Sequence, residues 1–317
     1  MAGTAEDVVA PRHRGWRLWA WLAALVLAWS FNYIFGKWAI RGLLPAAGAP
    51  GSVLPAHAAA TAAVDASGLR IVIALVVLAL LALHPRFRPR RITWREAWLL
   101  VLLGLTGVTL NQFFFVWGLD YTTVAHAALM FSLTPVFVLV LAATWGQERP
   151  TWLRIAGMLI AVAGTALVVW RGAAAGATPL GDLIELGSAA AFAYYTVAGK
   201  DSVARFDTLS FTFYTYLFGA LLMLPLVWPA LAHTHWRAVT AAGWGSVAYM
   251  GFIGSLAAYF IFYDVMKRLS AFQVSALQYL QPVVASLAAV YLLAEPLTAG
   301  LLAGGAVILG GVYLAER

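Results

Sequence analysis

The feature that most constrains this chain is a train of apolar blocks, each about 18 to 24 residues long, separated by short polar breaks. An α-helix rises about 1.5 Å per residue, so about 20 residues cross a hydrocarbon layer about 30 Å thick. Lipid offers no partner to an unpaired backbone N–H or C=O, and each block must therefore be helical. The sequence accommodates ten of them, at residues 16–36, 61–83, 96–119, 123–145, 151–170, 180–199, 208–229, 243–266, 271–293 and 297–314. Composition argues against water as the solvent, with 63% of residues hydrophobic and 10% charged, where a soluble domain carries about 25% charge. The expected fold class is an all-α polytopic membrane protein seated in the lipid bilayer.

The net charge of +7 does not call for a nucleic-acid partner, because most of the cations lie in breaks between apolar blocks rather than on one face of a soluble fold. They report topology instead, since positive loops stay in the cytoplasm. With the N-terminus inside, the inner segments hold Arg12, Arg14, Arg17, Arg86, Arg88, Arg90, Arg91, Arg95, Arg149, Arg154, Lys200, Arg205, Lys267, Arg268 and Arg317, which is 15 of the 20 Lys and Arg. Lys37, Arg41, Arg70, Arg171 and Arg237 fall on the outer side. Both termini are then expected in the cytoplasm, the chain being multi-pass in the cell membrane. The apolar run after Arg17 continues through Phe35 without a small-residue cleavage pattern, which reads as a first span rather than a signal peptide. No cysteine occurs, so Cys-based metal sites and disulfides are excluded. His233 and His235 lack acidic support, and neither a metal nor a cofactor is expected. Neither Gly36-Lys37 nor Gly199-Lys200 is followed by Ser or Thr, so no ATP-binding loop is present.

Shifting the chain on itself by 147 residues aligns 104–167 with 251–314 without a gap. The pattern P-x12-E-x2-T-x5-G-x6-G occurs twice, as Pro135, Glu148, Thr151, Gly157 and Gly164, and as Pro282, Glu295, Thr298, Gly304 and Gly311. Gly104 with Gly251, Gly107 with Gly254, Phe113 with Phe260 and Phe115 with Phe262 extend it. Gly36-Lys37 matches Gly199-Lys200 at a shift of 163, which gives the first half 16 more residues, assigned to the Ala-, Gly- and Pro-rich stretch 42–60, read as an outer loop. Residues 1–175 thus form one five-helix repeat with a cytoplasmic tail, and 176–317 a second. Five is odd, so the second repeat enters the membrane in the opposite sense. Inverted repeats place a site near the midplane that opens to each side in turn.

Trp29-Ser30-Phe31-Asn32, Arg70, the two Pro…Glu…Thr…Gly…Gly blocks, and Gly181-Asp182 leading to Ala193-Tyr194-Tyr195-Thr196 carry a resemblance. Over nearly its whole length the chain resembles the drug/metabolite transporter superfamily, in its EamA-like branch of ten-helix carriers. The resemblance implies ten spans and the export of amino acids or related small metabolites, or exchange of phosphorylated or nucleotide sugars. The long stretch after the first span departs from the compact family pattern.

Polar side chains at lipid depth are costly and turn toward the bundle interior or a water-filled cavity. The candidates for a substrate cavity are Ser30, Asn32, Asn111, Gln112, His126, Ser132, Thr134, Tyr194, Tyr195, Tyr259, Ser275, Gln278 and Gln281, the last three recurring on one helix face. The bland reading of each is an interhelical hydrogen bond worth about 1 kcal/mol or less. Pro135 and Pro282 each remove a helix hydrogen bond and press on the carbonyl four residues back, which predicts matched kinks. His126 is either a proton switch or a hydrogen-bonded helix residue, and reads as isolated. Arg70 either meets a substrate carboxylate or snorkels to the interface. Glu148 and Glu295 stand at the entry to the next helix, where a carboxylate caps free N–H groups. Trp16, Trp19, Trp94, Trp170 and Trp236 read as an interfacial belt, and Phe31, Tyr194, Tyr195 and Tyr279 as surfaces for an apolar cargo.

These readings converge on a secondary transporter, most simply an exporter, of small metabolites such as amino acids. It would work by alternating access around a cavity lined by spans one, three, four, six, eight and nine, with a small molecule as partner, as a monomer or homodimer. The alternative is a membrane-embedded non-transport protein, an enzyme or an assembly subunit. An enzyme needs clustered His, Asp or Glu at membrane depth, and the sequence shows only His126 there.

Overall fold

The computed structural model describes residues 16–44, 56–147, 151–171, 177–200, 202, 205–234, 236–271, 274 and 280–315. Among the described residues there is no strand. Helices α1 (Trp16–Leu43) and α2 (Ala56–Leu83) come first. Helix α3 (Trp94–Gly104) passes through a π-helical stretch, Leu105–Leu110, into α4 (Asn111–Tyr121) as one rod. Helices α5 (Val124–Phe131), α6 (Thr134–Thr144) and α7 (Trp152–Arg171) follow. Then come α8 (Pro179–Lys200) and α9 (Thr208–His233). Helix α10 (Ala241–Tyr249) runs through a second π-helical stretch, Met250–Ala257, into α11 (Ala258–Met266), and α12 (Leu280–Leu293) and α13 (Ala299–Ala315) complete the bundle.

Six helical rods among the described residues are long and apolar enough to cross a membrane: Leu18–Leu43, Thr61–Leu83, Trp94–Tyr121, Val124–Thr144, Thr208–Ala232 and Ala241–Met266. Trp152–Val168, Leu280–Leu293 and Ala299–Ala315 are shorter apolar helices. Helix α8 is 22 residues long but carries Asp182, Glu185 and Lys200. The solvent preference of a soluble protein is reversed: Leu183, Leu159 and Leu80 are more than 60% exposed, whereas Asn32, Arg70, Gln112, Asp182 and Glu185 are buried. A surface of this kind belongs in hydrocarbon. Trp16, Trp94 and Trp152 are exposed at helix starts, where their amphipathic rings suit the headgroup region.

Parts of the stretch 42–60 prove helical, because α1 runs on to Leu43 and α2 already begins at Ala56. Residues 45–55 lie outside the described ones. The early start of α2 puts Arg70 in its middle rather than near its end. At Pro135 the rod is interrupted at Ser132–Leu133 and resumes as α6. The carbonyl of Phe131, which proline deprives of its donor, accepts instead from Thr134 Oγ1 at 2.6 Å. Pro282 is the third residue of α12, and residues 275–279 before it lie outside the described ones, as do Glu148 and His235.

Helices α7 and α13 pack antiparallel, with Gly157 against Gly311 and Ala315, and Gly164 against Ile308. A Cβ on Gly311 would lie 2.7 Å from Gly157 O, so glycine there permits backbone contact. Helix α1 packs on α10 and α12, while α8 packs on α4, α5 and α6; α2 packs on α9. Lys37 near the end of α1 lies beside Thr122, and Thr178 at the start of α8 donates to the neighbouring Tyr121 O, so α1 and α8 also run in opposite senses.

Candidate functional site

The two π-helical stretches set the centre of the bundle. A π turn widens the helix and leaves backbone carbonyls for other donors. Tyr259 OH donates to Gly107 O at 2.6 Å, and Trp29 Nε1 donates to Gly254 O at 3.1 Å. The two carbonyls stand 147 residues apart, at equivalent points of the sequence repeat. Around them lies a cavity lined by Trp29, Asn32, Arg70, Asn111, Gln112, Phe115, Phe192, Tyr259 and Gln281, among others. Space for the centre of a water molecule amounts to about 30 Å³, room for about two waters. The centre it surrounds is polar, with Asn32, Arg70, Asn111, Gln112 and Gln281 all on its wall.

Arg70 dominates that centre and is 2% exposed. Its Nε donates to Ser255 Oγ at 2.9 Å; Ser255 Oγ donates to Gln112 Oε1 at 3.1 Å, and Gln112 Nε2 to Tyr216 OH at 3.0 Å. Its guanidinium lies 5.7 Å from the Phe115 ring centroid, within the range of a cation–π contact. Among the described residues no carboxylate pairs with it, and Arg70 Nη1 has no acceptor. Asn32 Oδ1, also buried, has no donor among the described residues, and both side chains border Gly254. An unpaired charge in a dry interior costs several kcal/mol, unless an arriving ligand offsets it.

A second polar group lies where α8 begins. Asp182 accepts from Thr122 Oγ1 at 2.6 Å and stands 3.1 Å from His126 Nδ1 through its other oxygen. Three residues further along α8, Glu185 is fully buried, with neither oxygen hydrogen-bonded among the described residues. Lys37 Nζ donates to Thr122 O at 2.6 Å. The carboxylate of Glu295 accepts from Val124 N at 2.9 and 3.2 Å. It caps a helix, as its position suggests, but that helix is α5 rather than the one following it.

The family-level comparison decides what such a bundle is. Residues 16–170, and again 179–316, match the EamA-like transporter family. The chain belongs to that family. This EamA-like protein is 33% identical over 250 residues to a protein of Streptantibioticus cattleyicolor named "Probable terminal-alkyne amino-acid exporter", covering 78% of this chain and 82% of that one. It is 26% identical over 299 residues to an uncharacterized transporter of Archaeoglobus fulgidus, covering 94% and 98% of the two chains. A solved crystal structure has a similar fold, with TM-score 0.62 at 23% identity, over 94% of this chain and 96% of that one. The chain is a multi-pass membrane transporter.

Of the residues singled out from sequence, the cavity of this EamA-like protein brings together Asn32, Asn111, Gln112, Tyr259 and Gln281. Ser30 is buried nearby on α1 with its hydroxyl unpaired. Ser132 and Thr134 spend their hydroxyls on Leu129 O and Phe131 O, each at 2.6 Å. Tyr195 belongs to an aromatic cluster with Phe192, Phe262 and Tyr259, while Tyr194 packs edge-on against Trp145. Pro282 lines a groove with Leu129 and Leu301. Ser275, Gln278 and Tyr279 lie outside the described residues. His126 is not isolated, since Asp182 faces it. Arg70 does not snorkel, and it adds α2 to the helices around the cavity. Asp182, Glu185 and Lys37 went unremarked as site residues because spacing places them near the edges of their spans. The available signal was the presence of two acids, three residues apart, within one apolar block.

Proposed function

We propose that this protein is a secondary exporter of small zwitterionic metabolites of the amino-acid class, working by alternating access. The observation that carries the reading is Arg70, a buried guanidinium with a nitrogen unused among the described residues, on the wall of the same cavity as Asn32, whose side-chain oxygen is likewise unused. A substrate carboxylate would satisfy the first and its ammonium group the second, with Trp29, Phe115 and Tyr259 supplying aromatic faces for the cation. The name of the Streptantibioticus cattleyicolor relative points to the same substrate class. The cavity is small, so a cargo of amino-acid size needs the bundle to open.

Ten spans in two inverted five-helix repeats, with both ends in the cytoplasm of a plasma-membrane protein, form the frame of this reading. It is supported by the antiparallel runs of α1 against α8 and α7 against α13, each pair joining equivalent members of the two halves. The exchange of partners, α1 on α10 and α8 on α4, adds support. Reporter fusions are expected to place Arg90 and Thr178 in opposite compartments, and finding both in one would abolish the inversion. Proteoliposomes are expected to show saturable counterflow of labelled amino acids, including one with a terminal alkyne. Absence of flux across the whole panel would end the substrate assignment.

A further inference from the structure

Glu185 is a buried acid that the amino-acid cavity does not use. It is absent from the cavity lining, 0% exposed, and neither carboxylate oxygen meets a donor among the described residues. Its bed is shaped for it: a Cβ on Gly118 of α4 would lie 2.8 Å from Glu185 Cγ, so glycine is what leaves room for the side chain. The titratable groups around it are Asp182 on its own helix and Tyr33 and Lys37 from α1. Beyond Lys37 lie Arg41 of α1, Asp120 of α4 and Glu295 ahead of α13, and His126 of α5 faces Asp182. Helix α6 contributes no titratable side chain to α8. Among the described residues no three His, Asp or Glu converge as a metal cage. An ionised carboxylate without donors in a dry site costs several kcal/mol, and a bound proton removes most of that cost. The ligand such a site selects is a proton.

We propose that Glu185 is a proton-binding site, separate from the amino-acid cavity, which couples proton movement to transport. A proton adds to a carboxylate oxygen while the Lys37 end of the bundle is open and leaves that oxygen when the opposite end opens; no electrons move. The coupling rests on the carrier reading above, whereas proton binding itself does not.

The test uses the full-length protein in lipid. Infrared difference spectra taken from mildly acidic to mildly alkaline pH are expected to show a carboxylic-acid C=O band that fades as pH rises and is missing in Glu185→Gln. Should that variant fold poorly, Glu185→Asp is expected to shift the band. A wild-type spectrum without a band assignable to Glu185, or a band responding to sodium instead of pH, overturns the proposal. With a labelled terminal-alkyne amino acid supplied outside proteoliposomes as probe, an interior about one pH unit more acidic than the bath drives up to about tenfold accumulation per proton that leaves. Glu185→Gln is expected to abolish this accumulation, and its persistence also overturns the proposal. If the wild type carries no amino acid at all, the substrate reading fails while the infrared band still decides the proton site.

Discussion

At one end of α8, Lys37 donates to the carbonyl of Thr122 at 2.6 Å; at the other, Lys200 donates to Leu269 O at 2.5 Å and also to Met266 O. The two lysines are equivalent at the 163-residue shift, and Thr122 and Leu269 at the 147-residue shift. The same lysine-to-carbonyl clasp therefore stands at both ends of α8. What differs is the chemistry beside it. The Lys37 end has Asp182 and Glu185, whereas the positions 163 residues earlier hold Trp19 and Leu22. Repetition supplies the scaffold, and the departures from repetition supply the charged groups, because packing tolerates an isolated buried acid at only one of two equivalent places without doubling its cost.

Arg70, between those ends, gives the largest test. Arg70→Met is expected to weaken amino-acid binding by about 30-fold or more, the loss of a buried charged partner being worth about 2–5 kcal/mol. The thermal midpoint should hold or rise, because an unpaired buried charge is removed. Retained counterflow with a lower midpoint would make Arg70 a structural tie instead. Next in size is Glu185→Leu, which gives the Lys37 end the residue type of Leu22. Unfolding in detergent should show stabilisation by about 1–4 kcal/mol; a loss would mean that the carboxyl has partners holding it.

The two clasps can then be compared directly. Lys200→Met should cost more than Lys37→Met by about 1–3 kcal/mol, since it strands two carbonyls rather than one. Equal losses would remove the distinction drawn between the ends. The smallest effect is expected from Thr122→Val, about 0.6 kcal/mol for one interhelical hydrogen bond to Asp182, measured in the same unfolding experiment. A much larger value would make Asp182 the anchor of that end.

Helix positions were legible because hydrocarbon thickness and backbone satisfaction leave a chain little choice, except at the end of α1 and the start of α2, which run several residues into the stretch read as a loop. The polar centre was partly legible: Asn32, Asn111, Gln112, Tyr259 and Gln281 stood out as polar groups within apolar blocks and do line one cavity. Arg70 was ambiguous because snorkelling and burial look alike until the start of its helix is known. Glu295 illustrates the same limit, since its carboxylate was recognisable as a cap while the helix it caps, α5, is 171 residues away in sequence.

The amino-acid sequence by itself determined that this chain is helical, that lipid is its solvent, and that one pattern is used twice, because these follow from local composition and periodicity. Tertiary structure alone decided that Arg70 has no ion-pair partner among the described residues, that His126 faces Asp182, and that Glu185 is sealed behind Gly118. Whether a buried charge is neutralised depends on what distant helices bring within about 3 Å of it, and no spacing along a single chain records that distance.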